Sequence, residues 1–305
     1  MLQLPKGREG WLVARRVRVA RRAVAILALT VPAVMLQALC VLVPGQAKVA
    51  VARLYWATFI RLIGIKVRVI GAPAQRQSGR SVMYVSNHSS WVDIPVIGGV
   101  LPGCFVAKGD IANWPVISTI ARLGRTVFVS RTRATTGKER DTMRSVLQGG
   151  DNLILFPEGT SSDGSRVLPF RTTFFALAEA RAWEDRADLP IIQPVSVVYD
   201  RLGGLPAGRA SRPIFAWYGD MDIASHFYRL TQHIGLRATV LLHTPLDPAE
   251  FADRKALSQA VWQIVADGAS TLRQNRPVGV GERKHGEGAL PPRPPAKAEP
   301  LQSIH

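Results

Sequence analysis

The segment Asn87-His88-Ser89-Ser90-Trp91-Val92-Asp93 follows Ser81-Val82-Met83-Tyr84-Val85-Ser86, a β-branched and aromatic run that reads as a strand. A histidine and an aspartate five residues apart cannot share a face within one helix, because five residues rotate it by about 140° beyond a full turn. His88 must therefore lie on a loop before a helix. With Ser89 or Ser90 as N-cap, Asp93 falls in the first turn and its carboxylate folds back onto the imidazole. A carboxylate that accepts one imidazole N–H fixes the tautomer and supports the imidazolium formed when the other nitrogen takes a proton. Such a pair can remove the proton of an alcohol that attacks a carbonyl, a service worth about 100- to 10,000-fold. The same residues fit a structural alternative, in which Ser90-x-x-Asp93 is a capping-box variant and His88 makes a loop hydrogen bond.

The elements that must hold this loop alternate along 65–272. Val67 to Ile70, Val82 to Ser86, Cys104 to Ala107, Thr126 to Val129, Leu153 to Phe156, Ile191 to Val198, Ile214 to Trp217 and Ala238 to Leu242 read as strands. Pro95 to Gly99, Asn113 to Leu123, Lys138 to Gln148 and Thr173 to Ala182 read as helices between them. The expectation is an α/β fold, a mixed sheet flanked by helices, with the chemistry at strand ends. No G-x-S-x-G nucleophile elbow is present, and no cofactor or metal ligand spacing emerges. Cys40 and Cys104 suit packing in a reducing compartment.

A formal charge of +17 over 305 residues admits nucleic acid, membrane surfaces or acidic ligands. Arg8, Arg15, Arg16, Arg18, Arg21 and Arg22 crowd before the apolar run Ala23 to Val43. A basic cluster beside an apolar run of about 20 residues points to lipid and away from nucleic acid. The run exceeds a signal-peptide core, although Gly45-Gln46-Ala47 offers a small-x-small cleavage site. A simple crossing would strand everything after Val43 on the far side from cytoplasmic donors. Pro32 can bend the helix, and Pro44-Gly45 can turn the chain into a second helix, Ala47 to Ile63, with Tyr55, Trp56 and Phe59 beside Lys48, Arg53 and Arg61. That second helix either completes a membrane hairpin or packs as an amphipathic core helix. The expected organisation is a basic segment 1–22, a membrane-embedded or interfacial helical hairpin 23–63, a catalytic domain 64–275, and a disordered Pro/Gly-rich tail 276–305.

Asn87-His88-Ser89-Ser90-Trp91-Val92-Asp93 resembles the NHxxxxD motif of the glycerolipid (lysophosphatidate-type) acyltransferase family. Further family motifs follow in order: Lys108 after the next strand, Val127-Phe128-Val129-Ser130-Arg131, the block Phe156-Pro157-Glu158-Gly159-Thr160, and Ile192-Gln193-Pro194-Val195. The resemblance covers about 80–198. It implies that His88, oriented by Asp93, deprotonates the acceptor hydroxyl, which attacks a donor thioester without an acyl-enzyme. Lys108 is then placed to stabilise the oxyanion, or is a solvated lysine. Arg131 is placed to hold an acidic headgroup, or is a surface cation. Glu158 binds a hydroxyl or pairs with Arg131, and Gly159 permits the turn. Asn87, Gly159, Thr160 and Arg171 complete the expected substrate site.

Many lysophosphatidate enzymes of the family carry an arginine after FPEGT, where this chain has Ser161-Ser162-Asp163-Gly164. FPEGTSSDG resembles the branch that acylates lyso-ornithine lipid, whose headgroup carries a carboxylate and amines. Asp163 either meets such an amine or shapes the turn. Arg171, in Pro169-Phe170-Arg171, resembles the family's P-F-K segment and returns a positive charge. The expectation is O-acyl transfer from acyl carrier protein or acyl-CoA to lyso-ornithine lipid or to 1-acyl-glycerol-3-phosphate, on the cytoplasmic face of a bacterial inner membrane. The competing readings are a strict lysophosphatidate acyltransferase, a non-catalytic module that binds anionic lipid, and a hydrolase of the same lipids.

Overall fold

Strands β1 (Ile65–Ile70), β2 (Val82–Ser86), β3 (Cys104–Lys108), β4 (Val127–Val129), β5 (Leu153–Leu155), β6 (Ile191–Leu202), β7 (Leu205–Pro206) and β8 (Leu236–Leu242) form one sheet in the computed structural model. That structure describes residues 6–43, 45–74, 79–109, 121, 124–129, 136–179, 182–183, 185 and 188–278. The strand order is β1-β8-β6-β2-β5-β3-β4, with β7 paired to β6. β6, β2, β5, β3 and β4 run parallel, whereas β8 lies antiparallel to β6 and carries β1 parallel to itself. The sheet is therefore mixed, as expected.

Both faces of the sheet are covered, which explains why its central strands read as unbroken apolar runs. In β2, Met83 and Val85 enter a core with Leu153, Leu155 and Val261, while Val82 and Tyr84 enter the opposite core with Ile97, Ile154 and Val240. Helix α3 (Asp93–Gly98) packs on the second face, together with α5 (Arg212–Phe215) and α6 (Ile223–Thr231). Helix α4 (Thr136–Gln148) and α7 (Arg254–Arg273) serve the first.

Two sequence expectations change. Ile214 to Trp217 is not a strand: Pro213, at the start of α5, has the φ of a first helical turn and no N–H to give a ladder. The apolar side chains that suggested a strand instead serve packing, with Phe215 stacked on Tyr199 at 5.0 Å. Thr173 to Ala182 is not one α-helix, because a 3₁₀ helix spans Thr172–Ala178 and Glu179 is extended. Most of Asn113 to Leu123 lies outside the described residues, as does 279–305 of the expected tail.

Helix α1 (Lys6–Leu42) continues through Pro32 and across residue 22, so basic and apolar segments share one rod. A turn through Gly45 leads into α2 (Ala47–Ile63), which packs on α1, α3 and β1. Thr30 and Tyr55 hydroxyls meet at 3.1 Å, and Gln37 Nε2 donates to the Lys48 carbonyl at 3.0 Å. Of the two open readings of α2, the core helix is the one seen, since Ile60 and Ile63 are core residues of the sheet domain. Val24, Leu27, Val31, Met35, Leu39 and Leu42 of α1 are exposed, an outward apolar face suited to lipid. Gly10–Leu42 is long and apolar enough to cross a membrane. Not all the arginines face outward. Arg18 donates to Gln232 O at 2.6 Å, and Arg22 donates to Thr231 O and His233 O at 2.7 and 2.8 Å. These cations satisfy carbonyls at and just past the C-terminus of α6 and complement its dipole, which docks α1 on the domain.

Candidate active site

β2 ends at the face where the parallel strands present their carboxyl ends, and the chain there turns through His88 before α3 begins at Asp93. The N-cap position falls on Val92, not on Ser89 or Ser90. The buried Asp93 carboxylate caps backward instead: Oδ2 accepts from Ser89 N at 2.7 Å and Ser90 N at 2.9 Å. The same oxygen accepts from His88 Nδ1 at 2.9 Å. Capping and orienting are therefore one arrangement, because the donors that fold the loop also fix the oxygen that holds the imidazole. With Nδ1 engaged by the carboxylate, Nε2 is the ring nitrogen left to take a proton, and it has no partner among the described residues; the side chain is 18% exposed.

The FPEGT block grips the loop from the other side. The His88 ring stacks on Phe156 at 4.3 Å, and Phe156 stacks on Phe105 at 6.1 Å. Glu158 Oε1 accepts from His88 N at 2.7 Å and Oε2 accepts from Leu168 N at 3.0 Å. Ser162 donates its N–H and its hydroxyl to His88 O at 2.9 and 3.1 Å. Glu158 thus has both oxygens on backbone N–H groups of the loop; Arg131, one of its expected partners, lies outside the described residues. Burial pushes its carboxyl up to about 8, against the pull of the two N–H donors.

Asn87, expected to bind substrate, instead turns its amide onto β6. Nδ2 donates to Val197 O at 2.9 Å, and Oδ1 accepts from Val197 N at 2.8 Å. It positions the loop by mimicking one backbone pair. Gly159 has φ +68°, and a Cβ there would meet Arg171 Nε at 2.9 Å, so the glycine both makes the turn and lets the Arg171 side chain lie against it. Arg171 is exposed beside the exposed Thr160. Lys108 ends β3 beside Val129; its side chain, and all of Arg131, lie outside the described residues. Asp163 Oδ1 accepts from Ser165 N at 2.8 Å and Ser165 Oγ at 2.6 Å, the turn geometry its sequence suggested, and these bonds hold its carboxyl below the usual range.

Three partners were not foreseen. Tyr199 of β6 donates to Asp93 Oδ1 at 2.6 Å, supplying the carboxylate's fourth hydrogen bond; burial, then the Asp93 charge, drive its phenol well above the ordinary value. A tyrosine inside a buried strand carries no local signal of that role. Trp91 Nε1 donates to His226 Nδ1 at 3.0 Å, joining the loop to α6, and burial lowers His226 to about 4. Ser196 and His243 also pair, with Oγ and Nε2 at 2.8 Å. Ser196 Oγ already donates to Val265 O at 2.9 Å, so His243 is the donor and the serine is a clamp on α7 rather than a nucleophile.

The arrangement provides an oriented, partly exposed imidazole backed by a buried carboxylate, the geometry of a general base. Residues 66–198 match a family model described as Acyltransferase. The chain is 37% identical over 202 residues to the lyso-ornithine lipid O-acyltransferase of Brucella abortus, covering 66% of this chain and 74% of that one. It is 35% identical over 205 residues to the enzyme of the same name from Rhizobium meliloti, covering 67% and 69%. It is 30% identical over 212 residues to the 1-acyl-sn-glycerol-3-phosphate acyltransferase of Neisseria meningitidis, covering 68% and 76%. The crystal structure of the 1-acyl-sn-glycerophosphate acyltransferase from Thermotoga maritima shares the fold, with a TM-score of 0.60 at 20% identity over 86% of this chain and 98% of that one.

Proposed function

The chain belongs to the acyltransferase family, and we propose that within it the protein is a lysolipid O-acyltransferase with lyso-ornithine lipid as preferred acceptor. The carrying observation is the His88–Asp93 pair, fixed by four hydrogen bonds to the carboxylate, with Nε2 without a partner among the described residues. Nε2 takes the proton of the acceptor hydroxyl as its oxygen bonds to the thioester carbonyl carbon. The tetrahedral oxyanion then collapses, the C–S bond breaks, and the leaving thiolate takes the proton back from the imidazolium. Lys108 is assigned to the oxyanion, and Arg131 and Arg171 to the acidic headgroup. Ser196 and His243 offer no serine nucleophile, which favours direct transfer over a hydrolase-type acyl-enzyme.

Membrane association follows from the outward apolar face of α1 and the lipid acceptor. We further assign the protein to a bacterial inner membrane. There the hairpin is embedded from the cytoplasmic side, and acyl carrier protein or acyl-CoA reaches the site from solvent. The organisation this reading assigns is a membrane hairpin, a catalytic domain to about residue 275 and a terminal tail. Strict use of 1-acyl-sn-glycerol-3-phosphate is the second reading, supported by the Neisseria relative. It is disfavoured by Ser161 in the place where many such enzymes carry a phosphate-gripping arginine.

The test incubates purified protein in vesicles with labelled acyl carrier protein thioester, offering lyso-ornithine lipid and lysophosphatidate separately, with His88→Ala as control. Acylation that falls by about 100-fold or more in the variant supports the base. Failure to acylate either acceptor by folded wild-type protein would overturn the function.

A further inference from the structure

On the side of the catalytic loop where Tyr199 meets Asp93, a narrow cleft, part of it open to solvent, is lined by Ser89, Ser162, Asp163, Arg166, Arg212 and Arg273. Its cations come from three places in the chain: Arg166 from the turn after FPEGT, Arg212 from the start of α5, and Arg273 from the end of α7. None of the three makes an ion pair among the described residues. Arg212 and Arg273 are half-buried, and Arg273 has only a long bond to Gly164 O, at 3.4 Å. Burial and the neighbouring Arg212 charge lower its guanidinium from the ordinary value. Partly desolvated like charges converging on one cleft are unfavourable unless an anion completes them. Glu158 and Asp163 lie near enough to Arg273 to act on its charge, but both Glu158 oxygens are occupied by backbone N–H groups and Asp163 Oδ1 by Ser165.

The cleft is one wall away from the base. Ser89 N holds Asp93, and Ser162 clamps the His88 carbonyl. We propose that Arg166, Arg212 and Arg273 form a subsite for the acidic group of the acyl acceptor's head, in addition to the residues assigned to it above. This rests on the lysolipid acyltransferase reading and extends it to residues outside the family motifs. The chemistry recognised is a carboxylate or a phosphate monoester held by charge-assisted, fork-like hydrogen bonds. The free oxygen of Asp163 would meet an ammonium, so a head carrying both charge signs fits the cleft better than a phosphate alone.

Arg212→Gln is the clean variant, because the Arg212 side chain makes no hydrogen bond among the described residues, and Arg212→Lys is its conservative partner. In steady-state assays the Gln variant is expected to raise the KM for the acidic acceptor by about 10- to 100-fold, the worth of one charged hydrogen bond. The donor KM should stay within about twofold, and the Lys variant should recover part of the loss. Parallel runs with lyso-ornithine lipid and lysophosphatidate separate the two anions, and Asp163→Asn should weaken only the former. Calorimetric titration with a short-chain lyso-ornithine lipid, on wild type and Arg212→Gln, reads binding without turnover. If wild type binds without turnover and the variant does not bind, the subsite stands and the catalytic reading falls. Equal acceptor KM and equal binding in both proteins, no binding by wild type, or a rise in donor KM alone, would each overturn the subsite.

Discussion

Asp93→Asn separates the two things this carboxylate does. Oδ2 is pinned by the Ser89 and Ser90 N–H groups at 2.7 and 2.9 Å, so an asparagine must place its carbonyl oxygen there and its NH2 towards Tyr199. The carbonyl still accepts from His88 Nδ1, and the Tyr199 hydroxyl can rotate to accept from the amide. Loop and tautomer survive while the charge is lost. Two unit charges about 4 Å apart at an effective dielectric near 20 attract by about 4 kcal/mol, which corresponds to roughly 1,000-fold in rate if the imidazolium is fully formed in the transition state. Partial proton transfer lowers this, so kcat is expected to fall about 100- to 1,000-fold with the fold intact. The assay is kcat for acyl transfer at saturating donor and acceptor, with thermal unfolding alongside. A variant that unfolds normally and keeps kcat within about threefold would show that Asp93 caps the loop without assisting the base.

Other perturbations test the frame around the base. Because the Glu158 carboxyl rises from 4.5 to about 8, the folded state holds a proton that the unfolded chain releases between those values. Its contribution is present below about pH 4.5 and lost as pH rises through about 8, with a slope of at most ~1.4 kcal/mol per pH unit. Denaturation of wild type and Glu158→Gln at pH 5 and pH 8 should show that slope only in wild type. Gly159→Ala forces a side chain into φ +68° against Arg171 and should cost about 1–2 kcal/mol in unfolding experiments and raise the acceptor KM. Ser196→Ala removes a clamp on α7, and should lower stability by about 1–3 kcal/mol while leaving kcat within about twofold; a large loss of kcat would restore a catalytic Ser–His pair.

The pairing of His88 with Asp93 was legible because helix geometry leaves few ways for residues five apart to meet. The strands of the sheet were legible for a related reason: burial on both faces writes continuous apolar runs such as Val82 to Ser86 and Leu153 to Phe156. Local composition failed where a single residue overrode it, as Pro213 did for Ile214 to Trp217. It was silent where function depends on distant pairing. Tyr199 reaches Asp93 across 106 positions, and Asn87 reaches Val197 across 110, and neither residue is unusual in its own neighbourhood. Arg18 and Arg22 read as membrane cations from their clustering, yet their partners are carbonyls more than 200 residues downstream.

Those last contacts bear on the order in which the protein is made. The apolar face of α1 is complete within the first 42 residues, but Arg22 cannot find Thr231 and His233 until nearly the whole described chain has been synthesised. β1 waits equally long, since its partner in the sheet is β8, with Ile65 beside Leu236. The nascent chain therefore has an apolar helix to give to lipid well before it has a domain to dock that helix against. Closing such distant contacts is slow, and until β8 is made β1 has unpaired edges free to meet other chains. A protein cut short before residue 236 would keep α1 and lose the strand that β1 needs.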